Sequence, residues 1–245
     1  MDSGYYAACT ALVSRTEALD TIANNLANAS TVGYRAQRNV FSSVLAEANN
    51  ASDSPLNQAM NSFGVLSGTT LDQSQGALQK TGNNLDLAIQ GSGFFVVQTP
   101  NGPMYTRNGG FQVSSKGQLI TGSGDPVMGS SGTITMPPGE VSISADGTIS
   151  SNGAVAGKLK LVQFAPGTNL TSAGETYYSA PPKTEIPATD STIKQGMLES
   201  SNVNPVASMV ELITAQRSAE MMQRALSMFN SEMDKTATQD LPKIS

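Results

Sequence analysis

The residues that could perform acid–base or nucleophilic chemistry in this chain are scattered carboxylates and one cysteine. Asp86, Glu140, Asp146 and Glu175 are of the type that forms general acid–base pairs, but nothing in their spacing brings two of them together. Cys9 lies on an apolar helical seam, and the chain has no histidine that could activate its thiol. The sequence therefore predicts no enzyme, no cofactor and no metal site.

Charge and hydropathy exclude further classes of function. The net charge of −5 comes without a basic cluster, so contact with nucleic acid through its phosphates is not expected. No apolar run approaches the roughly 20 residues that span a bilayer, so direct membrane insertion is not expected either. The opening "MDSGYYAACTALVSR" has no cation before Arg15 and lacks the pattern of a secretory signal. We therefore expect no cleaved signal peptide.

Two terminal segments carry the periodicity of helices. Tyr5, Leu12, Leu19 and Leu26 are spaced by seven residues, which is typical of a coiled-coil seam. The polar stretch "NASTVGY" should end this helix, since Gly33 tolerates a positive φ angle. The sequence predicts a first helix over about the first 30 residues, estimated from that periodicity.

A second helix should begin at "NPVASMVELI". Asn204 can cap it and Pro205 suits its first position, where a missing N–H has no cost. Its apolar positions alternate steps of three and four residues, and include Leu212, Met222, Leu226 and Phe229. Neither terminal seam can bury itself. We therefore predict an α+β fold in which the N- and C-terminal helices pair in a coiled-coil-like layer beside a central all-β domain.

The central part of the chain has strand periodicity and recurring glycine turns. "GFFVVQ" is apolar on both faces, as a central strand should be. In "VSISADGTIS" a three-residue turn ending at Gly147 would pair Ile143 with Ile149, and we prefer it to a two-residue turn that would not. The predicted organisation is a helix over 1–32, a linker or extended arm over 33–80, the β domain over 81–186, and a lead-in with the second helix over 187–245.

Three stretches of the chain resemble the bacterial flagellar axial proteins, which are the rod, hook and hook-associated proteins. "ANNLANASTVGYRAQ" resembles their N-terminal signature, and "SNVNPVASMVELITAQR" resembles the segment that opens their C-terminal helix. "GNNLDLAIQGSGFFVVQTPNGPMYTRNGGFQVSSKGQL" is similar to the β domain of the larger rod proteins and the hook protein. One β domain at this length favours a larger rod protein of the proximal-rod type, with a distal-rod or hook-type member as the alternative.

The resemblance implies a structural component of the flagellar basal-body rod in the periplasm, which polymerises and transmits torque. The implied partners are other rod and hook-family proteins, further copies of this chain, and the type III export apparatus, which would export the chain without a cleaved signal. A secreted β-rich binding module with oligomerising helical tails is the competing class. Few aromatic side chains, at 5% of the residues, are available to stack on sugars in such a module.

The helices supply the predicted assembly interface. It comprises Leu12, Leu19 and Leu26 of the first seam and Leu212, Met222, Leu226 and Phe229 of the second. Asn24, Asn25 and Asn28 are added because asparagine weakens a helix and its presence needs a reason. The three amides either bind neighbouring subunits and set their register, or cap a fraying helix end. The sequence leaves both interpretations open.

Overall fold

The computed structural model of the protein describes residues 2–42, 65–174 and 176–239. These residues divide into two compact units. A helical unit contains the described parts of residues 1–26, 37–69 and 205–245. A β unit contains the described parts of residues 27–36 and 70–204. The predicted linker over 33–80 contributes to both units, and residues 43–64 of it lie outside the described residues.

The helical unit contains one helix from each end of the chain. Helix α1 spans Asp2–Ala27 and helix α2 spans Pro205–Gln239. The predicted start of the second helix at Pro205 is confirmed. After α1 the chain turns, and Gly33 has a φ angle of 71°, which is the positive value that its sequence context predicted.

The predicted coiled-coil-like pairing of the two helices is wrong. The fold consists mostly of β-strands, and among the described residues α1 and α2 share no extended contact along their lengths. Among the described side chains of α1, Ser14, Ala18 and Asn25 are buried, whereas Leu12, Leu19 and Leu26 are only half-buried. At about 100° per residue, the buried stripe is rotated by roughly 120° from the predicted seam. Its small and polar side chains cannot supply the large knobs that a coiled coil interlocks.

The strands pair in one large sheet and several small ones. The six-stranded sheet has the order β15-β16-β6-β5-β14-β17, and its neighbouring strands are antiparallel. In that order the strands span Thr171–Ser172, Tyr177–Ser179, Gly102–Thr106, Phe94–Thr99, Leu161–Phe164 and Glu185–Pro187. A three-stranded sheet joins β11 (Val141–Ile143), β12 (Thr148–Ser151) and β13 (Ala154–Lys158).

The remaining strands form two-stranded pairs. In the helical unit β1 (Gln37–Ser42) pairs with β2 (Val65–Leu71), whose last two residues belong to the β unit. In the β unit the pairs are β3 (Leu78–Lys80) with β19 (Met197–Glu199), β4 (Leu87–Gln90) with β18 (Thr192–Gln195), β7 (Gln112–Val113) with β8 (Leu119–Ile120), and β9 (Met128–Gly129) with β10 (Gly132–Thr133).

Strand β5 separates two hydrophobic clusters of the β unit. Phe95 and Val97 point into a large cluster that includes the core residues of β4, β8 and β12. Phe94 and Val96, on the opposite face, pack into a smaller cluster that includes Tyr178. The prediction that "GFFVVQ" is a central strand with two apolar faces is confirmed, because alternate side chains of a strand point to opposite faces.

The turn between β11 and β12 has the predicted register. Ile143 lies opposite Ile149, and Gly147 adopts a φ angle of 87° at the end of a three-residue turn. Asp146 accepts hydrogen bonds from the Thr148 amide and hydroxyl at 3.2 and 2.8 Å. This carboxylate therefore stabilises its own turn, as the sequence indicated.

A hydrogen-bonded carboxylate on the edge strand β17 makes the β unit sensitive to acid. The Tyr105 hydroxyl donates to Glu185 Oε1 at 2.5 Å, and the Lys160 ammonium donates to Oε2 at 2.9 Å. The bond from Tyr105, followed by the bond from Lys160, lowers the pKa of Glu185 below its ordinary value. A carboxylate whose pKa is lower in the folded state stabilises that state above its unfolded-state pKa. It loses this contribution as the pH falls through the folded-state pKa.

We expect Glu185→Gln to flatten the acid dependence of stability. The urea midpoint of the unaltered chain should fall more steeply below about pH 4.3, the ordinary pKa of glutamate, than that of the variant. Urea titrations of both proteins between pH 3 and 6 measure the difference. Tyr105→Phe should remove most of the same effect, since that hydroxyl is the largest cause of the shift. If the urea midpoints of the unaltered chain and of Glu185→Gln change equally with pH in the acid range, Glu185 does not cause the acid dependence of stability.

Candidate assembly surface and junction cluster

The residues of the predicted interface differ in how much they are buried. Leu12, Leu19, Leu26, Leu212 and Met222 are half-buried. Leu226 is buried, and the side chain of Phe229 lies outside the described residues. The described leucines thus keep part of their apolar surface accessible. Their contact with neighbouring subunits stays a prediction.

The three asparagines of α1 and its end have different surroundings. Asn25 is buried, and its side chain forms two hydrogen bonds with the backbone of Gln37 in β1. It accepts from the Gln37 amide at 2.9 Å and donates to the Gln37 carbonyl at 2.8 Å. Asn28 is half-buried and accepts from the Thr31 hydroxyl at 3.1 Å, whereas Asn24 is exposed. Asn25 therefore anchors β1 within the chain, and Asn28 organises the turn after α1.

Helix α2 has an exposed apolar face as well as a buried one. The buried positions are Ser208, Ala219 and Leu226. On the opposite side of the helix, at about 100° per residue, six large apolar side chains are each more than half exposed. We call them the outer face of α2: Val206, Met209, Val210, Ile213, Met221 and Met228. Exposed Arg217, Glu220 and Arg224 lie among them on the same side of the helix, so charges interrupt the apolar surface. Six exposed apolar side chains on one side of a helix are nevertheless typical of a surface that packs against a partner.

The loop after α1 meets the strand before α2 by backbone hydrogen bonds within the β unit. The Gly33 amide donates to the Glu199 carbonyl at 2.7 Å, and the Asn202 amide donates to the Tyr34 carbonyl at 3.4 Å. A Cβ atom at Gly33 would collide with the backbone of Asn108. The close approach, together with the positive φ angle, requires glycine here.

A buried group of three charged side chains, which we call the junction cluster, lies next to these backbone hydrogen bonds and shares Glu199 with them. It consists of Arg35 from the loop after α1, Arg107 from the segment after β6, and Glu199 at the end of β19; each is at most 2% exposed. Arg35 Nη2 lies 2.7 Å from Glu199 Oε1, and Arg107 Nη1 lies 3.0 Å from Oε2. One carboxylate therefore binds two segments of the chain to a third.

The remaining polar atoms of the cluster bind mainly to backbone. Arg107 Nη2 donates to the Gly91 carbonyl at 2.7 Å, and Arg35 Nη1 donates to the Ser74 carbonyl. The Gly76 amide donates to Glu199 Oε1 at 2.9 Å. The Nε atoms of both arginines have no hydrogen-bond partner among the described residues. The cluster is thus held by several hydrogen bonds and still contains two buried donors that no described residue accepts from.

Two cations opposite one anion leave an excess positive charge within the junction cluster. Burial, followed by repulsion from Arg35, lowers the pKa of Arg107 to about 10. Burial likewise lowers the pKa of Arg35. The guanidinium of Arg107 lies 5.2 Å from the centre of the Phe94 ring, a cation–π distance. Both arginines remain charged at neutral pH, so removal of Glu199 would leave two buried cations without their anion.

The motifs of the sequence did not indicate the junction cluster as a site. Arg35 and Arg107 lie in the quoted N-terminal and β-domain stretches, and Glu199 lies two residues before the quoted C-terminal stretch "SNVNPVASMVELITAQR". The available signal was a charged residue in each of three segments of a chain with only 13% charged residues. That signal cannot show that the three charges meet, because 92 residues separate Arg107 from Glu199.

A groove of about 630 Å³ in the β unit contains two ion pairs. Lys158 Nζ lies 3.2 Å from Asp146, and Lys160 Nζ lies 2.9 Å from Glu185. Each of these four charged groups thus has an opposite charge as its neighbour. This arrangement is typical of a structural surface.

Two properties of the described residues bear on other kinds of site. No cluster of three or more His, Cys, Asp or Glu side chains suited to a metal ion occurs in the part of the chain that the structure describes. Neither helix, over its described residues, is long and apolar enough to cross a membrane.

Three family models match separate segments of the chain. Residues 6–35 match the flagella basal body rod protein model, and residues 88–151 match the D1 domain of the flagellar hook protein FlgE/F/G. Residues 194–240 match the C-terminal model of the flagellar basal body rod FlgEFG proteins. The first and third matches contain Arg35 and Glu199, and the second contains Arg107.

Similar proteins align over nearly the whole chain. The flagellar basal-body rod protein FlgF of Caulobacter vibrioides is 34% identical over 100% of both chains. FlgF of Mesorhizobium japonicum is 37% identical over 90% of both chains. The flagellar basal-body rod protein FlgG of Buchnera aphidicola subsp. Schizaphis graminum is 35% identical over 93% of this chain and 92% of its own.

Proposed function

Because this chain belongs to the flagellar basal-body rod proteins and is FlgF-like, a structural component of the rod, we propose that it polymerises with other rod and hook-family proteins through surfaces of its terminal helices. The observation that carries the proposal is the exposed outer face of α2. A rod subunit transmits torque only if its contacts with neighbouring subunits persist under load. Exposed apolar side chains on a helix are suited to such contacts, and the charges of Arg217 and Arg224 between them can pair with a partner.

The outer face has the size and chemistry of a packing surface. Full burial of one large apolar side chain stabilises a contact by roughly 1.5–3 kcal/mol, and six such side chains lie on this face. Three of them are methionines, Met209, Met221 and Met228, whose flexible side chains adapt to different neighbours. A rod subunit in contact with more than one kind of protein needs that adaptability. We therefore assign this face to neighbouring subunits.

The half-buried leucines of α1 and the exposed Asn24 supply a second surface in this proposal. Leu12, Leu19 and Leu26 retain accessible apolar area, and Asn24 lies on the same helix with its side chain exposed. Because its side chain is exposed, Asn24 would set the register between subunits by a further hydrogen bond to a neighbouring subunit. The intersubunit role predicted for the asparagine group is thus proposed for Asn24, and the side chain of Asn25 binds the Gln37 backbone.

Alanine substitutions at Asn24 and Asn25 should separate these two roles. We expect Asn25→Ala to lower the free energy of unfolding of the isolated chain by about 1–3 kcal/mol, because the Gln37 backbone loses its buried partner. Asn24→Ala should leave that free energy within about 0.5 kcal/mol, as for an exposed position, but weaken assembly. Urea titration and sedimentation with other rod proteins measure the two effects. Normal assembly of exported Asn24→Ala would remove Asn24 from the interface.

Purified chain mixed with other rod proteins tests the proposal as a whole. We expect sedimentable assemblies that form only in the mixture or at high concentration of the chain. A carbohydrate-binding module would remain a small soluble oligomer, and this alternative is not favoured, because relatives over the whole chain are named as rod proteins. Export by the flagellar type III apparatus is part of the proposal. Secretion of the full chain that stops when this apparatus is deleted would support it, and continued secretion would contradict it.

A further inference from the structure

The chain passes between the helical unit and the β unit at four places, which are after Leu26, after Ala36, before Thr70 and after Asn204. Within the β unit, the segments next to the last three of these places converge on one side chain, that of Asn202. This residue is two positions from the fourth crossing and is half-buried. Its role was not indicated by the sequence motifs or by the family matches.

The amide of Asn202 binds both of the other segments. Its Oδ1 accepts a hydrogen bond from the Ala36 amide at 2.7 Å. Its Nδ2 donates to the carbonyls of Asp72 and Ser74, each at 3.0 Å, and lies 3.2 Å from the Ser74 hydroxyl. The two bound segments also contact each other, because the Asp72 amide donates to the Ala36 carbonyl at 2.8 Å. Both the acceptor and the donor groups of the amide are therefore used.

The chemistry of these partners selects asparagine. One neighbour presents an N–H group and the others present carbonyl oxygens, so the side chain must accept and donate from one planar group. Aspartate would keep the acceptor but place negative charge against the Asp72 and Ser74 carbonyls. Alanine would leave all of these groups without a side-chain partner. Asparagine at this position is thus selected for its hydrogen bonds and not for its volume.

We propose that Asn202 is a positioning residue that ties three of the four crossing segments together where they leave the β unit. A force applied to the helical unit is then shared by these three backbone connections instead of being carried by the one connection under most load. The junction cluster also joins the segment at Arg35 to the segment at Glu199, but it reaches the third segment only through the Ser74 carbonyl and contains no side chain from it. The mechanical consequence rests on the proposed function as a rod subunit, whereas the hydrogen-bond node does not.

Amide hydrogen exchange on the purified full-length chain tests the node directly. In Asn202→Ala we expect the Ala36 amide to exchange about five- to tenfold faster, which corresponds to the loss of one hydrogen bond. Amides of β5 and β6 and the Gly33 amide should keep their rates. In Asn202→Asp the Ala36 amide should stay protected, because the carboxylate still accepts from it. The Asp72 amide should exchange faster, because repulsion between the carboxylate and the Asp72 carbonyl weakens the contact of Asp72 with the Ala36 carbonyl. Asn83→Ala is the matched control, since Asn83 also donates and accepts through its side chain, to Asp86 and from Leu85.

Each outcome of the exchange experiment supports or overturns the positioning role of Asn202. An unchanged rate at Ala36 in Asn202→Ala would overturn the proposal. A uniform rise across β5, β6 and Ala36 would also overturn it, since Asn202 would then contribute only to global stability. In cells that carry the variant as their only copy, swimming speed should fall more in viscous medium than in dilute medium. A loss of equal proportion in both media would refute load sharing. Failure of the unaltered chain to assemble with rod proteins would instead refute the proposed function and leave the node intact.

Discussion

A Glu199→Ala variant is expected to lose about 3–5 kcal/mol of the free energy of unfolding of its β unit, the range for a buried ion pair that loses one partner. Glu199 faces Arg35 at 2.7 Å and Arg107 at 3.0 Å, and all three side chains are excluded from water. Without the carboxylate, two guanidinium groups remain buried with like charges and without the anion that lies between them. The Gly76 amide loses its acceptor as well.

Urea unfolding of the purified chain measures this loss. Unfolding is followed by tyrosine fluorescence or circular dichroism, because the chain has six tyrosines and no tryptophan. Lys158→Ala is the control, since its ion pair with Asp146 is exposed and such pairs contribute about 0–1 kcal/mol. A Glu199→Ala loss no larger than the Lys158→Ala loss would show that the junction cluster does not stabilise the β unit.

A triple substitution distinguishes the cause of the loss. Arg35→Met, Arg107→Leu and Glu199→Met together remove every charge of the cluster while keeping apolar volume. This variant should be more stable than Glu199→Ala, since buried ion pairs replaced as a group by apolar residues are often neutral or stabilising. If the triple variant is less stable than Glu199→Ala, the hydrogen bonds to backbone and not the unbalanced charges are the main contribution.

Carboxylates on the outer face of α2 are expected to abolish rod assembly without unfolding the chain. Ile213→Asp places a charge near the middle of the face, where a partner must exclude water, and the cost of burying a carboxylate, even one that can pair with Arg217 one turn away, exceeds the apolar gain that it replaces. Val206→Asp is the second variant. Val206 lies in the first turn of α2, where an acidic side chain suits the helix dipole and should not weaken the helix itself.

Val155→Asp on the β unit is the matched control for Val206→Asp, because both valines are 72% exposed. We expect Val155→Asp to assemble normally and both α2 variants to yield no rods, with urea midpoints of all three near that of the unaltered chain. Export of each variant is measured first, and rods are then isolated from motile and non-motile cells. If exported Val206→Asp and Ile213→Asp both build normal rods, assembly does not use the outer face.

The sequence by itself determined those features that depend on neighbouring residues. Pro205 fixed the start of α2 because its ring suits only the first turn of a helix. Gly147 fixed the turn that pairs Ile143 with Ile149, because the positive φ angle there is accessible to glycine. The two apolar faces of β5 followed from consecutive large apolar residues. The family was indicated by motifs at both ends and in the middle of the chain.

Only the tertiary structure decided which face of each helix is buried and which charges meet. The seven-residue spacing of Leu12, Leu19 and Leu26 is compatible with a coiled coil, but Ser14, Ala18 and Asn25 repeat with a helical period too, and they are the buried stripe. Periodicity defines a face and not its partner. The junction cluster and the Asn202 node join segments up to 166 residues apart, and such contacts arise from the packing of the β unit rather than from local sequence.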